Sequence, residues 1–223
     1  MMFDPKAHII IVDGQSNTNR DTFCFELALA LLYNAQKTAF VLSADSPLRE
    51  IIKKRHLLLP ELLSPAIINK EDFYNEANKY SAVIIPQTNE ISEFAVMAST
   101  FITLISKDKT TINKFIKRQD YLNKLFELKK KIAATYGRSL NWIVCENNLK
   151  KNITLEPSPE LLKISRLHGF RVSPPLNDRQ SYKNDSTGIS AQDKSLPMFN
   201  KELTYEDICT KREIIKLAEF IFS

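Results

Sequence analysis

Glycine is scarce in this chain. Four glycines stand in 223 residues, where average usage of roughly 7% would supply about 16. Loops that wrap phosphate on their backbone keep glycine where the ligand comes close, so the shortage argues against a conventional phosphate-binding loop. Cysteine is scarce too. Cys24, Cys145 and Cys209 are far apart, odd in number and set among apolar residues, which excludes a disulfide framework and reads as buried thiols in a reducing cytoplasm. The three histidines, His8, His56 and His168, show no metal-ligand spacing among themselves or with the cysteines, so no metal site is expected. No Ser/His/Asp or Cys/His constellation emerges from the residue order, and no catalytic residue is assigned. Long apolar runs are also missing: nothing approaches the roughly 20 residues of a membrane helix. The short polar lead from Met1 to Lys6 lacks the form of a signal peptide. The expected location is the cytoplasm.

What is present is the composition of a globular protein, 43% hydrophobic and 26% charged, with a net charge of +5. That mild positive charge allows weak attraction to nucleic acid or anionic lipid without demanding either. Apolar runs alternate between strand and helix patterns. His8-Ile9-Ile10-Ile11-Val12 has the continuous β-branched character of a strand buried on both faces. A mostly apolar helix is expected over 22–33, a strand over 38–42, and a proline-opened helix over 47–54. A loop follows over 57–65, then a polar helix over 70–79 and a strand over 82–85. Beyond them come a helix over 90–98, a strand over 101–105 and a long helix over 112–134 that ends at Gly137. A strand over 142–145, a helix over 159–167, a short strand over 170–172 and a closing helix over 206–222 complete the pattern. Residues 176–201 are polar and read as loop, partly disordered. Such alternation predicts an α/β three-layer sandwich, a mostly parallel sheet with helices on both faces, in a single domain spanning 1–223.

A β-branched strand, a polar turn and an apolar helix form the frame of a P-loop, whose ligand sits outside the carboxyl ends of the strands. Further motifs narrow the resemblance. Leu140-Asn141-Trp142-Ile143-Val144 leads to Asn147-Asn148-Leu149. Gly169-Phe170-Arg171-Val172 and Pro174 follow, with Arg179 and Tyr182 beyond. Together with the helix ending Leu27-Ala28-Leu29-Ala30-Leu31-Leu32-Tyr33, and with Arg118-Gln119-Asp120-Tyr121-Leu122 in character, they resemble the MipZ branch of the ParA/MinD P-loop ATPases. The resemblance spans about residues 7–193 and is most specific in the carboxy-terminal half.

That resemblance implies a nucleotide site, and there the sequence departs from it. The group's deviant Walker A, Lys-Gly-Gly-any-Gly-Lys-Ser/Thr-Thr, aligns with Gln15-Ser16-Asn17-Thr18-Asn19-Arg20-Asp21-Thr22, in which only Thr22 is identical. Gln15 replaces the signature lysine that bridges a nucleotide-sandwich dimer. Asn19 replaces a glycine, Arg20 the phosphate lysine, and Asp21 the magnesium-holding hydroxyl. Asn19 or Asp21 can cap the helix N-terminus that a phosphate would otherwise use, a contribution of ~1 kcal/mol. At the Walker B position Ile85 is followed by Pro86-Gln87-Thr88, and proline offers no ligand. Ser43 stands for the first aspartate after the second strand, while Asp45 keeps the second. Asn147 falls where the group contacts adenine, and it also has an ordinary reading as a loop asparagine. The implied protein is a pseudo-ATPase with no cofactor expected.

Residues 107–131 hold nine Lys or Arg against three acidic residues. Phe115, Leu122, Phe126 and Ala133 form one helical stripe, with Lys117, Lys124 and Lys131 opposite. The lysines are either a solvated face or, as the resemblance implies, a contact for DNA phosphates without sequence preference. The closing helix spreads its apolar residues too widely for an interfacial face, so no membrane partner is expected. The resemblance thus implies a division or partitioning protein that binds a protein partner or DNA and forms no ATP-dependent sandwich dimer. Two alternatives stand beside it. One is an active ATPase in which Arg20 takes the lysine's place and Asp21 or Asp45 holds magnesium. The other is a structural subunit that caps a second ParA-type protein.

Overall fold

The computed structural model describes residues 5–14, 18–88, 91–106, 109–147, 156–177, 188–199 and 203–223. Seven strands form one sheet in the order β3-β2-β4-β1-β5-β6-β7, and the registers that define its pairings are parallel. The architecture is an α/β sandwich, as the strand–helix alternation predicts. The chain divides into two compact units, one of residues 1–20 and 87–178, the other of 21–86 and 179–223.

In the first unit β1 (His8–Asp13) and β5 (Thr100–Ser106) carry the core. Ile9 to Val12 are fully buried, which explains why this strand has no polar alternation. β6 (Asn141–Asn147) follows β5 residue for residue, from Thr100 opposite Asn141 to Ser106 opposite Asn147. The short β7 (Arg171–Val172) extends it. The long helix expected over 112–134 is two helices, α4 (Lys109–Lys117) and α5 (Gln119–Tyr136). Arg118 separates them with φ −78° and ψ 56°. Lys117 therefore does not share a helix with Lys124 and Lys131, and the seven-residue recurrence does not run along one cylinder. Phe115 and Leu122 are buried, but Ala133 is exposed. Gly137 ends α5 with φ 66°, the left-handed conformation of a glycine cap. The helix expected over 90–98 is a single 3₁₀ segment, Glu93–Met97. α6 (Pro159–His168) lies between β6 and β7 in the chain.

The second unit contains α1 (Arg20–Tyr33, all but its first residue), β2 (Thr38–Val41) and α2 (Pro47–Leu58). It also contains β3 (Ala66–Ile68), the short α3 (Phe73–Glu76), most of β4 (Ala82–Gln87) and α7 (Tyr205–Phe222). β3 falls at 66–68, between the expected loop and the expected helix, where the sequence pattern assigns no element. It is three residues long and pairs with β2. The polar helix expected over 70–79 is a chain of 3₁₀, α and 3₁₀ turns. α1 buries every residue from Phe23 to Leu31, Glu26 included, as an almost wholly apolar helix should. α7 opens on a capping box between Thr204 and Asp207.

Residues 188–199, part of the stretch that reads as loop, carry 3₁₀ turns at Asp193–Ser195 and Pro197–Phe199. Their backbone and side chains form a buried polar network. Arg55 and Asp193, both with fully buried side chains, pair at 2.6 Å. A second contact of 2.7 Å makes the pair bidentate. Arg55 also donates to the carbonyls of Leu63 and Gly188, and Tyr33 donates to Asp193. Gly188 has φ 73°, and a Cβ there would meet the Arg55 backbone at 3.3 Å, so the site requires glycine.

Candidate functional site

The parallel register delivers the carboxyl ends of β1, β5 and β6 to one edge of the first unit, where ligands of open α/β sheets bind. Asn19, Arg20 and Asn147, three of the positions that the resemblance assigns to nucleotide, stand there. Asn19 has φ 49°. It keeps the left-handed backbone at a place where the resemblance puts glycine, a conformation asparagine tolerates better than other side chains do. Arg20, the next residue, donates from Nη1 to the Gln87 carbonyl at 3.1 Å and also to the Thr88 hydroxyl. The Gly14 N–H donates to the same Gln87 carbonyl at 3.3 Å. Both the turn after β1 and the start of α1 are thus fastened to the end of β4. Asn147, buried, donates its side-chain amide to the Thr18 carbonyl at 2.5 Å.

The other assigned residues fall elsewhere. Asp21 and Thr22 lie in the first turn of α1 and Asp45 in the turn after β2, all in the second unit. Asp45 is exposed, and a hydrogen bond from the Ser43 side chain holds its carboxyl below the usual carboxylate range. Gln15, Ser16, Asn17, Asn148, Leu149, Arg179 and Tyr182 lie outside the described residues. Lys117, Lys124 and Lys131 are exposed. Among the described residues no group of His, Cys, Asp and Glu could hold a metal ion. No described helix is long and apolar enough to cross a membrane.

Sequence reasoning misses a second layer of this site. Asp13, the last residue of β1, is buried and accepts a hydrogen bond from the Tyr121 phenol of α5. Tyr121 Oη also lies 3.4 Å from Thr103 Oγ1, which accepts from Trp142 Nε1 at 3.2 Å. Burial and then the Asp13 carboxylate push the phenol well above its ordinary value, so it remains a donor. The Arg118 guanidinium covers the Tyr121 ring at 4.3 Å. Tyr121 and Asp13 are 108 residues apart, and only the folded chain relates them.

No family model and no curated protein matches the chain. Solved structures do. MinD of Aquifex aeolicus superposes with a TM-score of 0.57 at 13% identity, over 97% of each chain. A ParA family ATPase from Chlorobium tepidum gives 0.56 at 12% identity, over 96% of this chain and 99% of that one. The ATP complex of a McdA variant from Cyanothece gives 0.54 at 15%, over 94% and 97%. The fold is that of MinD and ParA. At these identities the agreement is one of architecture, and the strand-end loop is where a shared fold places different chemistry.

Proposed function

We propose that the chain is a ParA/MinD-type division or partitioning protein, MipZ-like in its carboxy-terminal half, that acts in the cytoplasm by binding and does not hydrolyse ATP. The observation that carries this is Arg20. At the position of the phosphate lysine, its guanidinium bonds the Gln87 carbonyl and the Thr88 hydroxyl and so ties two loops together. A triphosphate would have to displace those bonds. In the aligned sequence Asp21 stands where the magnesium-holding hydroxyl should be, and Pro86 where the strand should supply a magnesium-ordering aspartate. Asn147, the residue aligned with the adenine contact, holds the Thr18 carbonyl. These residues do not fit Mg-ATP, and the proposal assigns no step to it.

A protein partner suits this reading, since the same fold occurs in a MinC:MinD complex. Lys117, Lys124 and Lys131 are the candidates for DNA contact, as independent exposed charges. With Gln15 at the place of the bridging lysine, no ATP-dependent dimer is expected. Calorimetric titration with ATP and ADP, with and without magnesium, tests the proposal. The expected result is no nucleotide binding that depends on Arg20; low-micromolar binding that is lost in Arg20→Ala would overturn it. One observation favours the second reading, a divergent ATPase using Arg20. Asn19 keeps a left-handed backbone where the resemblance puts glycine. Under that reading Arg20→Ala abolishes tight Mg-ATP binding.

A further inference from the structure

The junction of α4 and α5 opens a cleft of about 680 Å³ lined by Ile91, Lys117, Arg118, Gln119, Asp120, Tyr121 and Lys124. Its size is that of sites for small ligands, and among the described residues that line it three cations stand beside one carboxylate, that of Asp120. The break at Arg118 causes this arrangement. In a continuous helix Lys117 and Lys124 would be two turns apart on one face. The non-helical φ and ψ of Arg118 end α4 at Lys117 and start α5 afresh, so both lysines and Arg118 line one opening. Gln119 donates its amide to the Ile116 carbonyl, and the Tyr121–Asp13 hydrogen bond fixes the floor. The cleft is therefore braced by contacts that do not involve the lysines, whose side chains stay exposed.

We propose that this cleft binds a small phosphorylated ligand of nucleotide size through Lys117, Arg118 and Lys124, with Ile91 and the Tyr121 ring as its apolar wall. Lysine ammonium groups and an arginine fork are the usual donors to phosphate oxygens. Arg118 is preset over the Tyr121 ring, so less freedom is lost when it binds. The cleft shares the Tyr121–Asp13 bond with the strand-end site, but Arg20 is not among its lining residues, so Arg20→Ala tells the two apart.

Titration calorimetry of the full chain with tripolyphosphate and with ADP, at low salt, tests it. Lys117→Ala and Lys124→Ala are each expected to weaken binding about tenfold, as loss of one charge-assisted hydrogen bond would. The double variant should abolish it. Lys124→Arg should retain it, and Arg20→Ala should leave it unchanged. The lysines are exposed, so thermal melting of these variants should match the parent. Failure of both anions to bind at millimolar concentration would overturn the proposal. So would binding lost equally in Arg20→Ala, which would move the site to the β1–α1 loop. Capture of a short DNA duplex through the same lysines without tripolyphosphate binding would overturn it in favour of a nucleic-acid surface.

Discussion

Two arginines, one in each unit, use their guanidinium groups in opposite ways. Arg55 is wholly buried and satisfied by a bidentate carboxylate and two carbonyls. Arg20 is half-buried and holds one carbonyl and one hydroxyl at a strand end where ligands enter this kind of fold. In a dry interior an arginine must have its full set of partners, because removing one leaves an uncompensated charge. At the wet edge the same group can exchange partners for little free energy. The first arginine defines how the second unit closes over residues 188–193. The second joins the start of α1 to the end of β4 and the residue that follows it.

The most severe test of this contrast removes the buried partner. Asp193→Ala should destabilise the protein by about 3–5 kcal/mol, the usual cost of orphaning a buried charge. Arg55→Met combined with Asp193→Leu should return part of that loss. Urea unfolding curves of the three proteins measure it. A single variant as stable as the parent would mean that residues 188–193 do not close on Arg55.

A smaller effect is expected from the opposite edge of the first unit. His8 bonds Thr100 through Nε2 at 2.9 Å. Burial first, and then the Arg138 charge, lower its pKa to about 4 from 6.5. The unfolded chain therefore takes up a proton between pH 6.5 and 4 that the folded chain refuses. Stability is full above about pH 6.5 and falls as the pH drops toward 4, by up to about 3 kcal/mol. His8→Leu should remove this component, seen as a flatter plot of unfolding midpoint against pH. An unchanged slope would show that His8 is protonated in the folded state.

Much of the fold is legible in the sequence because strands such as Ile9–Val12 and helices such as α1 declare their period or their burial locally. β3 is not legible: Ala66-Ile67-Ile68 follows a proline and is too short to show alternation. Neither is the break at Arg118, where no glycine or proline interrupts an apparently continuous stripe. At the site, the residue types at the loop positions are legible once Thr22 anchors them. The bonds they make are not. Arg20 with Gln87, Tyr121 with Asp13 and Arg55 with Asp193 join residues 67, 108 and 138 positions apart, and a single sequence holds no signal for such pairs.

Arg20 itself should give the smallest change in stability. Arg20→Ala removes hydrogen bonds at a partly solvated position, where water can replace the lost donor, so a loss of about 1 kcal/mol is expected. Arg20→Lys should recover part of it, because both bonds leave the one Nη1 and an ammonium also carries several donors on its single nitrogen. A loss near that of Asp193→Ala would mean that the strand-end arginine is as structural as Arg55 and that the two units do not differ in this respect. A gain in stability on adding Mg-ATP to the parent, absent in Arg20→Ala, would instead mean that Arg20 exchanges its loop bonds for phosphate. The same pair of melts thus separates a cation committed to the fold from one still available to a nucleotide.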